Sequence, residues 1–120
     1  MDITPLVPAG RPIVQAYGDG AFRIAGQQHV GSLITFRDRI VPWSGEISAE
    51  GLGAILEASD EVEVLIVGCG ASMTVVPAAV RTTLRERGIV TEPMDTGAAC
   101  RTWNVLLAED RRAAAALVAV

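Results

Sequence analysis

Gly88-Ile-Val-Thr-Glu-Pro-Met-Asp-Thr-Gly-Ala-Ala-Cys-Arg-Thr-Trp-Asn-Val-Leu-Leu-Ala-Glu-Asp-Arg-Arg112 decides the fold class. Ile89 to Met94 is a short strand-like run bounded by glycine and a proline. From Thr96 onward the pattern is helical. At roughly 100° per residue, Ala99, Cys100, Trp103, Leu106 and Leu107 fall within one arc of about 120°, the width of a face that packs on a sheet. Asp95 and Thr96 stand at the junction between strand and helix. In open α/β sheets such junctions are where ligands bind.

The same grammar precedes it. Val62-Glu-Val-Leu-Ile-Val67 is a short β-branched run that ends in Gly68-Cys-Gly70, the pattern of a buried strand entering a glycine turn. Pro77 suits the first position of a helix that carries Val80 and Leu84 inward and stops at Gly88. Two successive strand–helix units predict a parallel pair with a right-handed crossover. Ser48 is a candidate N-cap for a further helix to about Ala58, with Leu52, Ile55 and Leu56 on one stripe.

The first third is different. Met1 to Pro12 holds three prolines and reads as an extended lead-in. Ile13 to Tyr17 is strand-like, Gly18-Asp-Gly20 is a turn cluster, and Ala21 to Ile24 alternates before a tight turn at Ala25-Gly26. Gln28 to Phe36 reads as one strand, with His29, Gly31, Leu33 and Thr35 on one face. Arg39 to Trp43 is a last short strand ended by Pro42. This predicts an antiparallel meander with one wet face. The C-terminal Ala113-Ala-Ala-Ala-Leu-Val-Ala-Val120 is helical in propensity at its start and strand-like at its end, and the residues alone leave both open.

At 120 residues with half of them apolar, the chain is one ordered domain, residues 1–120: a lead-in over 1–12, a β-rich part over 13–43 and a βαβαβ-like part over 48–120. A net charge of -4 argues against a nucleic-acid partner, because phosphate neutralisation needs a basic surface. No run has the length of a membrane span and the N-terminus has no signal pattern, so a cytoplasmic location is expected. Cys69 and Cys100 are expected as reduced thiols. With His29 the lone histidine, a structural zinc site lacks ligands, and no cofactor is expected.

The junctions supply the candidate site residues. Asp95 and Thr96 have a sufficient role as helix caps, accepting free N–H groups of the first turn. The alternative makes Asp95 a general acid or base. Gly68, Cys69, Gly70 and Ser72 form either a tight turn needing positive φ or a row of amides offered to an anion. The third glycine of a dinucleotide fingerprint and the lysine of a P-loop are both missing. Cys69 has the address of a nucleophile, or of one half of a redox pair with Cys100, whereas Cys100 is most simply a small buried hydrophobe. Arg101 and Asn104 share a strip beside the apolar arc that packing does not explain. Tyr17 and Trp43 either cover sheet edges or supply an aromatic partner surface.

Gly18–Ile24, His29–Ser32, Val41–Trp43, Leu65–Gly70, Arg81–Gly88 and, most specifically, Met94–Glu109 together resemble a family of largely uncharacterised bacterial and archaeal proteins that includes mitochondrial NADH dehydrogenase (complex I) assembly factor 3. The resemblance runs from about Ile13 to Val120. The family usually has threonine where Cys69 stands and tyrosine where Trp103 stands; the first departure weakens a catalytic role for Cys69. The resemblance implies a three-layer α/β fold: a central mixed β-sheet with parallel βαβ units, an antiparallel β-hairpin layer on one side, and helices packed on the sheet. It also implies that Ala113–Val120 is a strand. For function it implies a non-enzymatic, protein-binding assembly role on a respiratory NADH dehydrogenase complex. Such a protein would have protein partners, would lie in the cytoplasm or at the inner membrane through a partner, and could form a homodimer. The alternative is a small-molecule- or anion-binding protein or enzyme whose pocket is lined by Gly68–Ser72 and Asp95–Asn104.

Overall fold

The structure, a computed structural model, describes residues 10–120; residues 1–9 of the expected lead-in lie outside that range. In chain order the elements are β1 (Val14–Gly18), β2 (Ala21–Ile24), β3 (Gln27–Val30), β4 (Leu33–Thr35), β5 (Ile40–Pro42), α1 (Gly53–Glu57), β6 (Val64–Gly68), α2 (Ala78–Glu86), β7 (Val90–Met94), α3 (Thr96–Ala108) and β8 (Ala113–Leu117). They form a three-stranded antiparallel sheet, β1-β2-β3, and a five-stranded mixed sheet, β5-β4-β8-β6-β7.

The expected parallel pair is present. β6 and β7 run side by side from Val64 opposite Val90 to Gly68 opposite Met94. Between them α2 follows Pro77, buries Val80 and Leu84, and gives way to Gly88 at φ 79°. α3 then leads into β8, which is parallel to β6 and antiparallel to β4. The alanine run is therefore a strand, and all five of its residues are buried. Helix propensity yields here because β8 is hydrogen-bonded on both edges and covered on both faces.

Two apolar clusters sit on opposite faces of the central sheet. Ala114, Ala116, Leu65 and Val67 face α1 and α2, meeting Leu52, Ile55, Val80 and Leu84. Ala113, Ala115, Leu117 and Ile66 face the other way, toward Trp103, Cys100 and Ala99 of α3 and Phe22 and Ile24 of β2. α3 and the three-stranded sheet thus share one covering layer. The alternation along β8 uses methyl-sized side chains, which lets both layers come close.

Two local expectations are corrected. Gln28–Phe36 is not one strand: β3 and β4 are parted at Gly31 and Ser32 and belong to different sheets. Gly31 has φ 88°, a backbone state costly for any other residue, and it turns the chain from one layer into the next. The polarity alternates straight through this break, so the pattern alone concealed it. The helix expected from Ser48 is also shorter. The Ser48 hydroxyl accepts the Gly51 N–H at 2.9 Å, but it closes a turn, and α1 begins only at Gly53. Two glycines in three residues, Gly51 and Gly53, weaken the intervening helix.

Candidate functional site

The candidate residues gather where β6 and β7 end and α3 begins. Gly68 is the last residue of β6, and α3 crosses directly above it. A Cβ there would lie 3.1 Å from both the Ala99 Cβ and the Leu117 Cδ2, and 3.2 Å from the Thr96 Cα. Glycine suits the close approach of helix to strand here, because any Cβ would make its neighbours give way by a few tenths of an ångström.

The amides of the glycine turn are already engaged. The Cys69 N–H donates to the Met94 carbonyl at 2.8 Å, and the Gly70 N–H donates to the Thr96 hydroxyl at 2.9 Å. The Thr96 N–H donates back to the Gly70 carbonyl at 2.9 Å. The Thr96 hydroxyl donates in turn to the Val118 carbonyl at 2.8 Å, while the Val118 N–H reaches the Gly68 carbonyl at 2.9 Å. Thr96 is fully buried and ties three chain segments into a closed hydrogen-bonded knot. Gly70 has φ 108°, as a turn glycine does. Ser72 is exposed beyond the knot.

Asp95 is the N-cap of α3, its carboxylate accepting the Ala98 N–H at 2.8 Å. That bond satisfies one of the free donors of the first turn and sets a negative charge at the positive end of the helix dipole. Thr96, expected beside it as a second cap, serves the knot instead.

The two cysteines are free and lie on opposite sides of the central sheet. Half-buried Cys69 packs with the cluster beneath α1 and α2, its Sγ 3.6 Å from the Val67 carbonyl and 3.7 Å from the Thr74 carbonyl. Cys100 is buried in the cluster beneath α3. Desolvation pushes its thiol up to about 12; Arg101 opposes this shift and Asp95 adds to it. A thiol held protonated this far above neutrality is a poor nucleophile.

Arg101 and Asn104 turn out to have different partners. The Asn104 side chain accepts the Val14 N–H at 2.9 Å and donates to the Val14 carbonyl at 2.8 Å. One turn's neighbour, Trp103, donates its indole N–H to the Pro12 carbonyl at 3.0 Å. Together they fasten the entry of β1 to α3. Arg101 stays exposed, with a guanidinium nitrogen 3.5 Å from the Tyr17 hydroxyl and no ion pair among the described residues.

Tyr17 and Gly97 complete this surface. The Tyr17 hydroxyl rests against α3 where a Cβ on Gly97 would collide with it. A groove of about 360 Å³ runs between β1 and α3, with Ala16, Tyr17, Cys100, Arg101 and Asn104 in its walls. A second cavity, of about 310 Å³, opens on the outer face of β1 and β2 beside Tyr17, Arg23 and Gln28. Sequence reasoning weighed Tyr17 only as an aromatic at a strand end and passed over Gly97. The one signal was glycine at the second position of a helix already capped by Asp95, a residue with no local reason to be there.

Among the described residues no three His, Cys, Asp or Glu side chains cluster to hold a metal ion, and no helix is long and apolar enough to cross a membrane.

A family model described as protein of unknown function (DUF498/DUF598) matches residues 14–118. An uncharacterized protein of Rhodobacter capsulatus is 38% identical over 110 residues, which cover 92% of this chain and 86% of that protein. NADH dehydrogenase (ubiquinone) 1 alpha subcomplex assembly factor 3 of Danio rerio is 34% identical over 110 residues, or 88% of this chain; the match spans 63% of that protein's length. Among solved structures, one described as an outer membrane protein from Bartonella henselae is 42% identical with a TM-score of 0.86, covering 96% of this chain and 99% of that one.

Proposed function

Because the chain belongs to this family of unknown function, DUF498/DUF598, and is similar in sequence to an assembly factor over most of its own length, we propose that it is a protein-binding module of assembly type. Its partners are subunits of a respiratory NADH dehydrogenase complex. It acts without catalysis, in the cytoplasm or at the inner membrane through those partners. The observation that carries this reading is the 34% identity to the zebrafish assembly factor across 88% of the chain.

The geometry supports it in a second way. The amides of Cys69 and Gly70, the Thr96 hydroxyl, the Asp95 carboxylate and the Asn104 amide all have partners inside the fold. Groups held in this way position elements and do not await a substrate. Among the side chains facing outward on this side are Tyr17, 43% exposed, and Arg101. Tyrosine and arginine are both among the residue types enriched at the positions that dominate protein interfaces.

The test is affinity capture of the tagged protein from cells of its native host under mild solubilisation, with mass spectrometry of what is retained. NADH dehydrogenase subunits, lost when Arg101→Glu replaces the wild type, are the expected result. Retention of none by the wild type sinks the proposal.

One feature favours a second reading, a small anionic ligand beside Arg101. The groove of about 360 Å³ is of a size to hold one, and its guanidinium is free of ion pairs among the described residues. A thermal-shift screen of small carboxylates and phosphates tests it, and a hit abolished by Arg101→Ala would support it over the first.

A further inference from the structure

The sheet edges of this protein are protected unequally. β1 is bulged between Val14 and Ala16, and Asn104 occupies the outward backbone groups of Val14. β7, at one edge of the central sheet, carries Glu92 and Pro93; β5, at the other, is three residues long and ends in Pro42. Charge, proline, bulges and shortness are the devices that keep edges from pairing. β3, Gln27-Gln-His-Val30, is four residues long and carries neither charged residue, proline nor bulge.

Its ladder fixes which groups are free. Phe22 stands opposite His29 and Ile24 opposite Gln27, and the Gly31 N–H donates to the Gly20 carbonyl at 2.8 Å. Antiparallel alternation then directs the N–H and C=O of both Gln28 and Val30 away from β2. Neither residue's backbone finds another partner among the described residues. Val30 is 83% exposed, more than any other large apolar side chain described. Below the edge, cavities of about 240 and 290 Å³ flank His29, both reaching Ile40 of β5, so inward-facing side chains of an added strand have room.

We infer that β3 pairs antiparallel with β3 of a second copy, about a two-fold axis through His29. In that register each Gln28 exchanges both backbone hydrogen bonds with the second copy's Val30, and Val30 is covered by the opposite Gln28 stem. The two His29 side chains meet at the axis, a close pair without mutual backbone bonds. About that axis every outward N–H and C=O of Gln28 and Val30 is paired and no carboxylate or guanidinium of the strand meets its own copy, which favours a second copy as the occupant. Two three-stranded sheets become one of six strands. An edge only four residues long buries little area, so the dimer belongs to the weak, concentration-dependent class.

Sedimentation equilibrium from about 10 µM to about 1 mM, the range weak pairs of this size require, tests it. The expected result is a rise from the monomer mass of 12.6 kDa toward twice that value. Gln28→Pro, which removes an N–H not used within the fold, should weaken association roughly tenfold or more. Val30→Lys should do the same while leaving the ladder intact, and circular dichroism verifies that each variant folds. In a Cys69→Ser background, His29→Cys should cross-link to itself on mild oxidation, whereas Gln28→Cys should not, because it faces Val30. A monomer throughout the range overturns the inference. So does a dimer indifferent to both edge variants, or a Gln28→Cys chain that cross-links as readily as His29→Cys.

Discussion

Asn104 of α3 holds both backbone polar groups of Val14, accepting its N–H at 2.9 Å and donating to its carbonyl at 2.8 Å. A side-chain amide here stands in for a neighbouring strand. It seals the edge of β1 and fixes how the three-stranded sheet sits beside α3. Asn104→Ala should therefore cost about 2 kcal/mol, since two half-buried backbone groups lose their partners but keep some access to water. Asn104→Asp should be worse at neutral pH, because it sets a carboxylate against the Val14 carbonyl. Its folded state then favours the protonated acid, so stability should recover as pH falls through the carboxyl range. Urea unfolding of the three proteins between pH 4 and 8 measures both effects.

Thr96 offers a sharper contrast. Its buried hydroxyl accepts from Gly70 and donates to Val118. Thr96→Val keeps the shape and leaves both groups unpaired, for an expected loss of about 2–4 kcal/mol. Thr96→Ser keeps the hydroxyl and should lose only about 1 kcal/mol, the value of a buried methyl group. Denaturant midpoints at unchanged m-value give the comparison.

Gly97 is set by Tyr17. Alanine in a helix interior is worth about 1 kcal/mol over glycine, but at Gly97 the added methyl would strike the Tyr17 hydroxyl. Gly97→Ala should thus destabilise the wild type and stabilise the Tyr17→Ala variant. The sign reversal in a double-mutant cycle is the readout.

The thiols should react in sequence. Cys69 is half-buried and Cys100 buried, with its thiol raised to about 12 by desolvation. A disulfide reagent at pH 8 should titrate one thiol in the native protein and both in denaturant. The same shift makes stability depend on pH. The folded thiol keeps its proton above the ordinary value of 9.0, where the unfolded one releases it, so stability is full below that value and declines as pH rises toward about 12. Cys100→Ala should flatten that alkaline decline.

The β6–α2–β7–α3 course was legible because each element carries its own local signal: a β-branched run, a proline start, a glycine stop, an apolar arc. β8 was not, since four successive alanines favour a helix, and only its position between β4 and β6 makes them a strand. The division of β3 from β4 rests on the single torsion of Gly31. At the site, Asp95 could be read as a cap because its partner is three residues away. The partners of Asn104 and Thr96 are 90 and 22–26 residues away, and no local pattern encodes such a pairing. Helical geometry placed Arg101 and Asn104 on one strip correctly, but it could not reveal that one faces backbone and the other water.

The position of β8 has a consequence for synthesis on the ribosome. β5 and β4 form one half of the central sheet, β6 and β7 the other, and β8 alone joins them. Until Ala113–Leu117 emerges, the two halves share no strand pairing and four open edges face the surrounding solution. A nascent chain is most exposed to mispairing in that interval. The plainest segment of the protein, a run of alanines, is the one whose arrival turns two ribbons into a single sheet.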